Sequence, residues 1–266
     1  MSTTTRVRLG FVACLLILIP ATILSQSDQE GSAHGFPVLR DAKGVKVADG
    51  DFAQWIENGR LHVVIRYLGR ARQIEEKGVF RQTPKLVQDE WSFKETRNGK
   101  LYREFAVNFR AGTATAKKQE EKELEQWSED VKIEGPAFAG FGFALGIKSV
   151  RDRLLKGERV EFQTVGFMPK PRAATVEISY AGLDRLPMAA RTIRGDRFVI
   201  HPKVPWFADL FVDIPDTHIW LTTPPVGFLR FEGPLAEPKD AVARIDLLPG
   251  ERSGPATPVR ASAKTR

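Results

Sequence analysis

Among the side chains that can do chemistry, His201, Asp216 and His218 are the set best placed to act together. A histidine paired with an aspartate serves as a general base, with the carboxylate fixing its tautomer. Two histidines with Asp213 or Asp216 also make a donor set for zinc or iron. The spacing supports neither site: the Asp216-Thr217-His218 triplet and the fifteen-residue gap from His201 to Asp216 match no motif of either kind. His62 falls on the partly polar face of a strand pattern and reads as structural. Nucleophiles are no better placed. Ser92, Ser149 and Ser179 lack the Gly-x-Ser-x-Gly elbow. Gly140, Gly142 and Gly146 do not form Gly-x-Gly-x-x-Gly, and no Lys-Ser/Thr follows them as a phosphate loop needs. Any catalysis would therefore rest on His201, His218 and Asp216, and no cofactor or metal is expected.

The aromatic residues offer a different function. Phe138, Phe141, Phe143, Trp206, Phe207, Phe211, Trp220, Phe228 and Phe231 form either a core or the lining of an apolar cavity. Ligand sites are mostly apolar with a few polar anchors. On that reading Phe138, Phe141, Trp206, Trp220 and Phe228 touch the ligand, and Lys203 and Arg230 anchor an acidic head group. Trp206 and Phe207, in a Pro-flanked loop, also suit contact with a membrane surface.

The element that must position these groups is the stretch from Gly135 to Leu155. At helical spacing Phe138, Phe141 and Leu145 share one face, and Phe143, Ile147, Val150 and Leu154 share another. A helix apolar on two faces is buried. Its three glycines each cost about 1 kcal/mol of helix propensity and point to close approach of a neighbouring backbone. On both sides the pattern is strand-like. Leu61, Val63, Ile65 and Tyr67 alternate with His62, Val64, Arg66 and Leu68, and Val87, Asp89, Trp91 and Phe93 alternate likewise. Asn98-Gly99 predicts a hairpin turn, with Leu101, Phe105, Val107 and Phe109 on one side of the next strand. Further strands are expected over 160–167, 173–180, 188–193, 197–201, 218–222, 228–232 and 241–248, with turns at Gly182-Leu183-Asp184 and Gly195-Asp196 among them. Lys117 to Asp130 breaks the pattern: it is rich in Lys and Glu, with Leu124, Trp127 and Val131 at helical spacing, and predicts an exposed helix. The expected fold is mainly β, a curved antiparallel sheet or open barrel around a central apolar helix, with one exposed helix.

The ends give the address. Arg6 and Arg8 precede an apolar run from Leu9 to Leu24, and Ser25 and Ser27 offer cleavage points before the acidic sequence begins at Asp28. That is the layout of a secretory signal peptide over 1–27, shorter than the roughly 20 residues of a membrane span. An uncleaved signal anchor is the alternative. The single cysteine, Cys14, lies in that segment, so the mature chain would lack disulfides and thiol chemistry. Residues 28–54 read as a flexible arm, 55–248 as a single β-rich domain, and 249–266 as a disordered basic tail. Of the net charge of +7, Arg6 and Arg8 supply two. The tail supplies three (Arg252, Arg260, Lys264 and Arg266 against Glu251), leaving about +2 elsewhere. Nucleic-acid binding wants a basic face on the domain itself and is not expected.

The run Gly195-Asp196-Arg197-Phe198-Val199-Ile200-His201-Pro202-Lys203-Val204-Pro205-Trp206, continued by Asp216-Thr217-His218-Ile219-Trp220 and Gly227-Phe228-Leu229-Arg230-Phe231-Glu232, is the densest in the second half. With the order of elements over 60–248, it resembles uncharacterised bacterial envelope proteins built as a curved antiparallel sheet closed by helices. In outline it is similar to the lipoprotein-carrier fold of the periplasm. That resemblance implies an envelope location and an apolar-ligand cavity, and carries over no catalytic residue. Three functions remain open: a secreted or periplasmic binder of an apolar or amphiphilic ligand, a secreted hydrolase, or a structural envelope protein.

Overall fold

In the computed structural model, residues 29–121, 123–188, 191–203 and 215–248 are described. The chain opens with a meander of β1 (Ala33–Asp41), β2 (Lys46–Glu57), β3 (Arg60–Leu68), β4 (Arg72–Arg81), β5 (Val87–Arg97), β6 (Lys100–Asn108), β7 (Thr113–Gln119) and β8 (Leu124–Asp130). Helix α1 (Gly142–Leu155) interrupts it. A second meander follows, of β9 (Val160–Met168), β10 (Lys170–Met188), β11 (Arg191–Lys203), β12 (Thr217–Thr222), β13 (Phe228–Gly233) and β14 (Ala243–Leu248). The two join where the last strand meets the first: β14 pairs antiparallel with β1, Ile245 opposite Leu39. Among the described residues this makes one open antiparallel sheet of 14 strands, ending in β8 and β9.

Alternation builds the sheet. Leu61, Val63, Ile65 and Tyr67 are buried on the concave face, and their neighbours His62, Val64, Arg66 and Leu68 turn outward. Asn98 and Gly99 both take positive φ in the β5–β6 hairpin, as expected, and Asn58-Gly59 does the same between β2 and β3. Helix α1 lies on the concave side against β10 and β12. Leu145, Ile147 and Leu154 are buried in the main core with Phe162, Ile178 and Phe198, and Phe141, Phe143 and Val150 pack on its border. Both expected apolar faces are thus used. Arg151 ties the helix to Asp196 of β11, and Gly157, with φ of +87°, takes the chain out of it.

Four expectations need correction. Residues 28–54 are not a flexible arm: they hold β1 and β2, and β1 is the strand that joins the two meanders. Their signal is weak because the inward positions include Gly35, Gly50 and Gln54, and because one partner is β14, about as far off in sequence as the fold allows. Lys117 to Asp130 is not an exposed helix but the β7–β8 hairpin, with Ala116 opposite Trp127. Its high helix propensity is overridden by pairing with β6, and a charged strand suits a sheet edge because it blocks edge-to-edge association. Gly182 and Gly195 mark no turns. Gly182, with φ of +114°, sits at a bulge within β10, and Gly195 lies inside β11 where Leu229 fills its side-chain space. Finally, α1 begins at Gly142, because Pro136, Ala137 and Phe138 pair with Gln163 of β9 and the chain then turns through Gly140, with φ of +54°. The expected signal segment 1–27, the expected tail 249–266, and Trp206, Phe207, Phe211 and Asp213 lie outside the described residues.

Candidate functional site: the cavity at the helix N-terminus

Helix α1 has no acidic residue in its first turn, and Phe141, its N-cap residue, makes no side-chain cap hydrogen bond. The first N–H groups of a helix need acceptors and favour negative charge. The sheet supplies both. Glu76 points inward from β4 and accepts the backbone N–H of Phe141 at 2.6 Å on Oε1, which also accepts Trp91 Nε1 at 3.0 Å. Gln88 Oε1, from β5, accepts the N–H of Ala139 at 2.8 Å. The glycines make this possible. Gly140 takes φ of +54°, and a Cβ there would sit 1.8 Å from Glu76 Oε1; one on Gly142 would sit 2.2 Å from Gln88 Oε1. The close approach expected of a backbone is made instead by side chains, and at Gly146 by the Phe138 ring.

Beside this junction is a narrow cavity of about 40 Å³. Its walls are mostly apolar: Phe52, Phe141, Phe228 and Phe231, with Phe52–Phe141 and Phe141–Phe228 centroids 5.1 and 5.4 Å apart. Two polar side chains line it, Tyr67 and Glu76. The Tyr67 hydroxyl is buried and has no hydrogen-bond partner. Burial, and secondarily the neighbouring Glu76, push its pKa well up. Glu76 keeps part of its surface open to the cavity. Burial raises its carboxyl above the usual range, and the bonds from Phe141 and Trp91 only partly oppose this. A second space of about 150 Å³ adjoins the first across Gly140, Phe231 and Leu235. Leu235 belongs to the β13–β14 loop, which is fastened by Glu237 and Asp240 to Arg103 of β6 at 2.6 and 2.7 Å.

Of the ligand contacts expected from sequence, the structure brings Phe141 and Phe228 to this cavity. Phe138 is buried elsewhere in the core, edge-on to Phe162 at 4.8 Å. Trp220 and Arg230 stand opposite each other on the convex face. Trp220 donates to Asp184 at 2.9 Å, and Arg230 donates to Asp246 at 2.7 Å. Lys203 is a surface residue paired with Glu161 at 2.7 Å and Glu177 at 3.3 Å. Arg230 and Lys203 are therefore not cavity anchors: strand alternation turns one outward, and carboxylates on the outer surface hold the other. Trp206 lies outside the described residues.

His201 and Asp216 are brought together, Nδ1 to Oδ1 at 2.7 Å, and both are exposed. His218 packs beside Trp220 instead, and its buried Nδ1 has no partner. The three do not form one constellation, and among the described residues no group of three His, Cys, Asp or Glu side chains is placed to hold a metal.

Sequence reasoning missed Tyr67, Glu76 and Arg103. A signal exists for the two charged residues. Glu76 falls in the inward row Ile74, Glu76, Gly78, Phe80, and Arg103 in the row with Phe105 and Val107. A charge in an apolar row must be paired, capped or functional.

No protein-family model matches the chain, and no curated protein does. Among solved structures, the crystal structure of the hypothetical lipoprotein YmcC from Escherichia coli (K12) is similar over 83% of this chain and 86% of that one. The identity is 13% and the TM-score 0.38.

Proposed function

We propose that this chain is a non-enzymatic protein of the bacterial envelope or exterior that binds an apolar or amphiphilic ligand on the concave face of its sheet. The observation that carries this reading is the apolar cavity beside α1, lined by Phe52, Phe141, Phe228 and Phe231 and by Tyr67, whose buried hydroxyl has no partner. Buried polar groups are nearly always satisfied, and one that is not asks for an explanation. A bound polar group supplies one. The secretory layout of residues 1–27 supports the location, with cleavage as the expectation and a retained anchor as the alternative.

At about 40 Å³ the cavity is much smaller than the roughly 300–1,000 Å³ of small-molecule sites. A chain-like ligand would enter by displacing the Phe228, Phe231 and Leu235 side chains and joining the two spaces. Native mass spectrometry and organic extraction of protein purified from its own compartment test the reading. A co-purifying lipid-like mass, reduced in a Phe228→Trp variant that fills the cavity, is the expected result. Ligand-free protein would favour the structural reading, and a hydrolytic activity abolished by His201→Asn would favour the enzyme.

A further inference from the structure

We infer that the head group this cavity accepts is an uncharged hydroxyl, so that the ligand belongs to the class of long-chain alcohols and neutral hydroxylated amphiphiles. This rests on the ligand-binding reading above and concerns what the polar end of that ligand must be. The cavity lining contains no Lys, Arg or His. Its polar side chains are Glu76 and Tyr67. Glu76 Oε1 is already occupied by the Phe141 N–H and Trp91 Nε1, and Oε2 makes no hydrogen bond among the described residues. The Tyr67 hydroxyl makes none either.

A ligand hydroxyl answers both vacancies at once, donating to Glu76 Oε2 while accepting from the Tyr67 O–H. A carboxylate or phosphate would be buried with no cation on the cavity wall to balance it. An unbalanced charge taken out of water is costly. An ammonium has donors only and would leave the Tyr67 proton without an acceptor. The acidic head group expected from sequence depended on Arg230 and Lys203, and both turn away from this space. The competing explanation is a trapped water on Tyr67, for which about 40 Å³ is room enough.

The test is calorimetric titration of the delipidated full chain with 1-decanol, decanoate and decylamine at neutral pH, repeated on Tyr67→Phe and Glu76→Gln. Decanol should bind about tenfold tighter than decanoate, a difference of the order of one buried hydrogen bond. Tyr67→Phe should weaken decanol about tenfold while keeping or raising the thermal midpoint, because it deletes a hydroxyl with no protein partner. Glu76→Gln should improve decanoate relative to decanol. Decanoate or decylamine binding as tightly as decanol to the wild type would overturn the head-group inference and leave ligand binding standing. Unchanged decanol affinity in Tyr67→Phe would also overturn it, in favour of the trapped water. No binding of any of the three would overturn the ligand-binding reading itself.

Discussion

Two glutamates on neighbouring strands face the same interior and meet opposite fates. Glu95, on β5, is fully buried and accepts from Arg103 Nε at 2.9 Å, Arg97 Nε at 2.8 Å and Arg72 at 3.1 Å. Burial works to raise its carboxyl, but Arg103 first, then Arg97 and Arg72, outweigh it and hold the group below the usual range. Glu76, on β4, has two neutral donors and no cation, and burial wins. Arg103, itself raised because Asp240, Glu95 and Glu237 outweigh its burial, links β5 and β6 to the loop after β13. The lesson is that burial alone does not decide a carboxylate's role. Glu95 belongs to a charge-balanced brace. Glu76, one inward position along the same strand pair and opposite Phe93, holds a helix in place and keeps one oxygen free.

The largest test of this contrast is Arg103→Met, which leaves Glu95, Glu237 and Asp240 without their shared cation. Breaking a buried pair from one side costs about 3–5 kcal/mol, so chemical denaturation should show a loss of that order. A loss below 1 kcal/mol would mean that the brace is not structural.

Next in size is Gly140→Ala. The left-handed backbone alone costs about 1–3 kcal/mol with a side chain. The added methyl also displaces Glu76 Oε1 from the Phe141 N–H. A midpoint equal to the wild type would show that the Glu76 bridge does not hold α1.

The acid response should separate the two glutamates by sign. For Glu95 and Asp240 the folded pKa lies below the unfolded one, so their contribution is present above the usual carboxylate range and is lost as pH falls through the folded values. For Glu76 the folded pKa is the higher, so its contribution is largest in acid and declines as pH rises through that value. Glu76→Gln keeps an acceptor for Phe141 and Trp91 and should stay within about 1 kcal/mol of wild type in mild acid. Its stability relative to wild type should then improve as pH rises. Glu95→Gln should be destabilised at neutral pH, with the deficit narrowing in acid. Parallel pH profiles for the two variants would erase the distinction.

The smallest effect is expected on the convex side. His201→Asn breaks an exposed pair with Asp216 and should shift stability by no more than about 0.5 kcal/mol. A larger loss, with the fold intact, would give that pair a role beyond the surface.

Much of this was legible in the sequence, and the legible part is local. Alternation from Leu61 to Tyr67 decided which side chains of β3 point inward, Asn98-Gly99 decided a hairpin, and the two apolar faces between Phe138 and Leu154 decided a buried helix. Each follows from a repeat of two or about 3.6 residues that a short segment carries by itself. The tertiary structure decided what such periods do not encode. It made a strand of the Lys- and Glu-rich stretch after Thr113 because β6 offered an edge. It also turned residues 33–54 from a supposed arm into the middle of the sheet, through a pairing whose ion pair Arg40–Asp246 spans 206 positions. The candidate site divides the same way. Phe141 and Phe228 were recognisable as apolar residues near a cavity, whereas Arg230 and Lys203 looked like anchors only because sequence gives charge without direction. Glu76 and Tyr67 come together only because the sheet curves around a helix whose first turn lacks an acid, and curvature, unlike period, is a property of all fourteen strands at once.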